Sequence, residues 1–138
     1  MSATTGDITA VFTVLVAGSD MEEPVADILR GVLDGHIVLD RSIAERGRYP
    51  AINLLKSVSR SLPDAATESE NTLIGRARKC LSVYEQSEIM IQSGLYVAGS
   101  DPNIDSAIKI WPKLDAFLTE SSSGGPKQAF VRLEDLLK

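Results

Sequence analysis

Apolar and polar positions follow two different rhythms along this chain, with a break near residue 63. In the first part, Ile8 to Val16 reads ITAVFTVLV, and six of its nine residues are Val, Ile or Thr. Apolar side chains fall on both faces rather than alternating, which predicts a strand covered on both sides. Asp20 with Glu23 three positions later resembles a capping box, and Pro24 suits the first turn of the helix it would open. Val25, Ile28, Leu29, Val32 and Leu33 then share one helical face. Gly35 is expected to take the left-handed conformation past the helix end, before a second buried strand at His36 to Leu39. Asp40 caps a short helix, Arg41 to Arg46, which Gly47 ends before Tyr49-Pro50 imposes an extended backbone. Residues 51 to 62 read as a loop or short helix.

Beyond Pro63-Asp64 the period is purely helical. Leu73, Ala77, Cys80 or Leu81, Tyr84 and Ile91 track one face of a long helix from about Glu68 to Gln92. Gly94 and Gly99 bracket a turn, and Asp101-Pro102 restarts a helix as cap and first position. Ile104, Ala107, Ile108 and Trp111 face inward on it, and Pro112 is expected to bend or break it. Ser121 to Gly125 reads as a flexible linker. Ala129, Phe130, Leu133, Leu136 and Leu137 make a last short amphipathic helix. A doubly buried strand at residue 8 with one further strand behind it reads as the end of a parallel α/β domain, residues 1–63, followed by an all-helical domain, residues 64–138. The whole is predominantly helical.

Charge narrows the function. Fourteen Lys and Arg against nineteen Asp and Glu leave a net charge of -5, so there is no global positive field for a phosphate backbone or anionic lipid, and no nucleic-acid partner is expected. No apolar run approaches the length of a membrane span, and the N-terminus lacks the order of a signal peptide. One cysteine, Cys80, and one histidine, His36, cannot supply a structural zinc site or an internal disulfide, so no metal ligands are assigned and a reducing cytosol fits. His36 follows a turn glycine with no nucleophile near it and reads as structural. The carboxylate groups Glu22-Glu23, Glu85/Glu88 and Glu134-Asp135 read as helix-surface charges. Neither a phosphate loop G-x-x-x-x-G-K-[ST] nor a G-x-G dinucleotide fingerprint is present.

Four pieces, in order, carry a more specific signal: ITAVFTVLV, DMEEPVAD, LDGHIVLDRSIAERG and YPAINLLKSVSR. Together they closely resemble the end of the RecA-like nucleotide-binding domain of the rotary-type ATPases of bacterial type III export. These are the flagellum-specific ATPase and its virulence-secretion relatives, themselves akin to the catalytic subunit of ATP synthase. A weaker likeness to the family's C-terminal helical domain runs on through RARKCLSVYEQSEIMIQSGLYVAGSDPNIDSAI and fades after about Leu118.

The resemblance implies a homohexamer that couples hydrolysis of ATP, with Mg2+, to the unfolding and delivery of export substrates. It implies cytoplasmic placement at the periphery of the membrane export apparatus, with a leaning to the flagellum. Residue by residue, Arg60 of Ser57-Val58-Ser59-Arg60 matches the arginine finger that reaches the γ-phosphate held by the neighbouring subunit, and Tyr49 matches the tyrosine that packs on adenine. From residue type alone, Arg60 would read as a surface charge and Tyr49 as a packing residue beside a turn. Leu95 to Ile104 stands where the family's loop meets a central stalk protein, without the dense acidic run of ATP synthase. Export chaperones and export-gate components are the other implied partners. The family's phosphate-loop lysine, catalytic glutamate and magnesium ligands have no counterparts here, so this chain by itself is expected to bind no cofactor and to be inactive. A non-catalytic module that binds chaperones or a stalk protein is the alternative reading.

Overall fold

The computed structural model describes residues 6, 8–17, 23–121 and 124–138. In chain order their elements are α1 (Pro24–Val32), β1 (Gly35–Leu39), α2 (Arg41–Glu45), β2 (Ile52–Ser59), α3 (Glu68–Gln92), α4 (Pro102–Thr119) and α5 (Gly125–Leu136). This is a small α/β remnant followed by helices. Residues 1–33, with α1, form one compact unit, and residues 34–138, with everything else, form a second.

In the first unit, Ile8 to Val16 makes no ladder, and Ile8, Val11 and Leu15 are almost fully exposed. A strand exists only through pairing, and no partner for this segment lies among the described residues. The expected cap at Asp20 falls outside them. Helix α1 begins with Glu23 at the cap position and Pro24 behind it, as its sequence suggests. Its apolar face is open: Val25, Ile28 and Val32 are exposed.

In the second unit, β1 and β2 form a two-stranded antiparallel sheet. This corrects three expectations. Residues 52–59 are a strand and not a loop or helix. Strand β1 pairs antiparallel, and it is only half covered, with Val38 buried and Ile37 and Leu39 about 70% exposed. Gly35 does not sit in a left-handed helix cap; it is the first residue of β1. A Cβ there would lie 2.6 Å from the Val58 carbonyl oxygen, so glycine lets the two strands approach.

The ladder is irregular. Asn53 faces Val38 and Val58 faces His36, so residues 54–57 of β2 stand against Ile37 alone. This bulge is held from the side: the Ser57 hydroxyl donates to the Asn53 carbonyl at 2.6 Å, and the Lys56 amide donates to Asn53 Oδ1 at 3.0 Å.

Helix α3 opens with a capping box in which Thr67 and Glu70 exchange hydrogen bonds. Gly94 and Gly99 take φ of 70° and 90° in the following turn, and Asp101 caps α4 by accepting from the Asn103 amide at 2.7 Å. Helix α4 continues through Pro112, which was expected to bend or break it, so the break does not occur. Removing one amide and crowding a carbonyl costs about 3 kcal/mol, but Ile110 and Trp111 before the proline and Leu114 and Phe117 after it all pack on one core, and that packing outweighs the local cost. The core itself is Leu81 of α3, Leu114 of α4, Leu133 of α5 and Leu137 just beyond it, and Leu54 and Leu55 of the β2 bulge pack against it. Of the proposed linker, residues 122 and 123 lie outside the described residues; Gly125, at φ 70°, already opens α5.

Candidate functional site

Tyr49 and Arg60 flank the same strand. Tyr49 lies in the bend between α2 and β2, after Gly47 at φ 78°, and its side chain is 64% exposed. Arg60 follows the last residue of β2, is exposed, and its amide donates to the Asp34 carbonyl at 2.8 Å, tying the strand end to the start of β1. The two are therefore placed at opposite ends of β2 and do not share one site within the chain.

The bend carrying Tyr49 is held from both sides. Asp40 caps α2 through the Ser42 amide at 3.1 Å and hydroxyl at 2.8 Å, and also accepts from Asn53 Nδ2 at 3.1 Å and Lys56 Nζ at 3.0 Å. Its own amide donates to the Ala51 carbonyl at 2.9 Å. The Ser42, Lys56 and Asn53 side-chain bonds together hold the Asp40 carboxyl well below the usual carboxylate range. A carboxylate whose folded pKa is depressed contributes stability at pH above its unfolded value, near 3.9, and loses it as pH falls through the folded value. Asp40→Asn should therefore lower stability at pH 7 by about 1 to 2 kcal/mol, and its unfolding midpoint in urea should depend less on pH below about 4 than that of the parent chain. Equal acid sensitivity of the two proteins would show that Asp40 is not the group responsible.

On the other side of the bend, Arg48 is 91% buried, with 9% of its surface exposed. Its Nη2 donates to the Ile52 carbonyl at 3.2 Å, its Nε lies 3.7 Å from Asp115 of α4, and Nη1 is buried with no protein acceptor. It lines a cleft of about 260 Å³ with Arg46, Tyr84, Glu85, Glu88 and Trp111. Tyr84 stacks on Trp111, ring centroids 4.4 Å apart, and Arg46 grips Glu88 through two hydrogen bonds of 2.8 and 3.1 Å. Burial pushes the Glu85 carboxyl up, with Arg48 opposing that shift. Glu88 is thus engaged structurally by Arg46.

His36 bonds through Nε2 to the Lys56 carbonyl at 3.1 Å, bracing the bulge, in keeping with a structural role. Cys80 is a half-buried free thiol whose pKa is raised by burial. Among the described residues no group of three or more His, Cys, Asp or Glu is placed to hold a metal ion. No described helix is long and apolar enough to cross a membrane.

The turn between α3 and α4 is ordered by Tyr96, whose hydroxyl bonds to Asp105 at 2.9 Å and to the Asp101 carbonyl at 3.0 Å, while the Gly99 amide donates to Asp105 at 3.0 Å. It leaves Leu95 and Val97 exposed at its tip. Sequence reasoning missed Arg48 and also Arg78 of α3, which reaches the carbonyls of β2. A lone arginine on a helix or beside a turn carries no local mark of such long-range contacts.

Two family models match the chain in succession: the ATP synthase alpha/beta family nucleotide-binding domain over residues 1–59, and the T3SS EscN ATPase C-terminal domain over residues 66–125. The flagellum-specific ATP synthase of Caulobacter vibrioides is 51% identical over 85% of this chain, and the chain spans 26% of that protein's length. The assembled ATPase EscN of the enteropathogenic E. coli type III secretion system superposes with a TM-score of 0.91 at 32% identity, covering 96% of this chain and 33% of that one. EscN in complex with its central stalk EscO superposes with a TM-score of 0.76 at 31% identity, covering 83% of this chain and 29% of that one. The chain thus matches the ATP synthase alpha/beta family along its first part and the T3SS EscN ATPase C-terminal domain along its second. In that order the two correspond to the C-terminal part of the flagellar and type III secretion export ATPases.

Proposed function

We propose that this chain is the C-terminal portion of a homohexameric export ATPase, most simply the flagellar one, that hydrolyses ATP to ADP and phosphate while delivering and unfolding export substrates. Residues 1–63 form the end of its nucleotide-binding domain and residues 64–138 its helical domain. The family models, matching 1–59 and 66–125, support that division. Arg60 is the arginine finger, offered to the γ-phosphate bound by the neighbouring subunit, and Tyr49 packs on the adenine ring. The carrying observation is the placement of Arg60: exposed at the end of β2, its main chain fixed by Asp34, and remote along the strand from Tyr49. A finger that serves the neighbour's nucleotide need not lie beside its own subunit's base contact. During phosphoryl transfer negative charge spreads over the equatorial oxygens, and a planar, permanently protonated guanidinium supplied in trans neutralises it.

The groups that cradle the phosphates and hold Mg2+ belong to the rest of the full-length enzyme. The exposed tip of the α3–α4 turn, Leu95 and Val97, is the surface for a central stalk protein. EscN, a structural neighbour, is seen with its stalk EscO. Export chaperones and gate components are the other partners, and the enzyme works in the cytoplasm at the periphery of the membrane apparatus.

The reading is tested by the gene and by calorimetry. The reading frame upstream of Met1 should encode an in-frame G-x-x-x-x-G-K-[ST], and the full-length product should hydrolyse ATP. Absence of that motif would overturn the catalytic reading in favour of a non-catalytic interaction module. The 138-residue chain alone should show no turnover and negligible affinity for MgATP. Micromolar, magnesium-dependent binding by titration calorimetry would overturn the proposed division of labour.

A further inference from the structure

The bulge in β2 lies directly before the strand end that presents Arg60. Residues 54–57 are out of the regular ladder, so their carbonyls need hydrogen-bond donors from elsewhere. One side chain meets three of them. Arg78 of α3 donates through Nη1 to the Leu54 carbonyl at 2.7 Å and more weakly to the Ser57 carbonyl at 3.4 Å, and through Nη2 to the Leu55 carbonyl at 3.1 Å. These contacts link residues 21 to 24 positions apart in sequence.

We propose that Arg78 is a positioning residue for ATP hydrolysis: it clamps the β2 bulge to α3 and so sets where Arg60 is presented. This rests on the reading of Arg60 as the finger. The guanidinium is a rigid planar fork with five donors, able to hold several carbonyls in one geometry; a lysine ammonium on a flexible stem cannot reproduce that geometry. The other end of the lever is also fixed. Leu54 and Leu55 pack their side chains on the helical core, and beyond the bulge the Arg60 amide is held by Asp34. Only Val58 and Ser59, which pair with His36 and Gly35 of β1, separate the last clamped carbonyl from Arg60, so a shift of the bulge is carried to the finger through this short ladder segment. Misplacing a catalytic group by about 1 Å can cost on the order of 100-fold in rate.

The test uses the full-length ATPase carrying this sequence, with Arg78→Gln and Arg78→Lys assayed per folded hexamer. Both variants should lower kcat by about 10- to 100-fold while KM for ATP stays within about threefold, because the bound nucleotide's ground-state contacts come from the neighbouring subunit. Lysine should recover only a small part of the loss. Added to Arg60→Ala, whose residual turnover is followed by release of radiolabelled phosphate, Arg78→Gln should lower the rate no further, since there is no finger left to misplace. If Arg60→Ala collapses turnover but Arg78→Gln keeps the parental kcat, or lowers the rate equally with and without Arg60, the positioning role is wrong and the finger stands. If Arg60→Ala itself leaves turnover unchanged, the finger assignment fails and the positioning role falls with it.

Discussion

Arg60→Ala in the full-length ATPase should abolish nearly all turnover, by roughly 10³- to 10⁵-fold, while leaving folding and nucleotide binding close to the parent protein. The separation of effects follows from where the residue sits. Arg60 is exposed, and its backbone amide, which alanine retains, donates to the Asp34 carbonyl. In the proposed trans arrangement the ground-state phosphates are held by the neighbouring subunit's own groups, so the loss falls on the transition state. Lysine should rescue little, since a point charge does not offer the guanidinium fork. The trans geometry gives a second readout. Subunits carrying Arg60→Ala, mixed with subunits whose phosphate-loop lysine has been removed, should regain activity wherever an intact finger faces an intact phosphate loop. An arginine serving only the surface would behave differently: alanine would cost about 0 to 1 kcal/mol of stability and leave hydrolysis untouched.

How much of this was legible beforehand depended on whether the signal was local. Helix α3 was readable from Glu68 to Gln92 because its 3.6-residue apolar period lies within the segment itself. The same holds for Asp40 before α2 and Asp101-Pro102 before α4. Strand β2 was not readable. Its bulge destroys the alternation by which a half-covered strand is recognised, and Leu54 and Leu55 are consecutive apolar residues that both pack on the core. Gly35 misled for a related reason: glycine after a helix most often signals a left-handed cap, and here it answers a close strand approach that only the fold reveals. Ile8 to Val16 has the composition of a buried strand, yet composition cannot provide the neighbour that makes one. Of the site, Arg60 and Tyr49 were named through family resemblance, whereas Arg48 and Arg78 act on segments distant in sequence and left no pattern to find.

The same distance in sequence makes the helical core the second sensitive point. Leu81 is 2% exposed and joins Leu114, Leu133 and Leu137 in the cluster that binds α3, α4 and α5 together. Truncation to alanine removes its buried surface and leaves a cavity, so Leu81→Ala should destabilise the chain by about 2 to 5 kcal/mol in urea unfolding. Against a total of about 5 to 15 kcal/mol for a domain, that loss is large. Val131 of α5, 60% exposed, is the matched control, and its alanine variant should stay within about 0.5 kcal/mol of the parent. A Leu81→Ala cost below about 1 kcal/mol would mean that the cluster does not anchor the fold. The consequence reaches beyond stability, because Leu81 lies one helical turn beyond Arg78 on α3. The leucines whose carbonyls Arg78 holds, Leu54 and Leu55, rest their side chains on Leu81's cluster. Loosening that contact frees the bulge from below just as removing Arg78 frees it from the side. In the full-length enzyme, Leu81→Ala should therefore lower kcat by more than the unfolded fraction accounts for, whereas a purely global effect would scale turnover with the folded population alone.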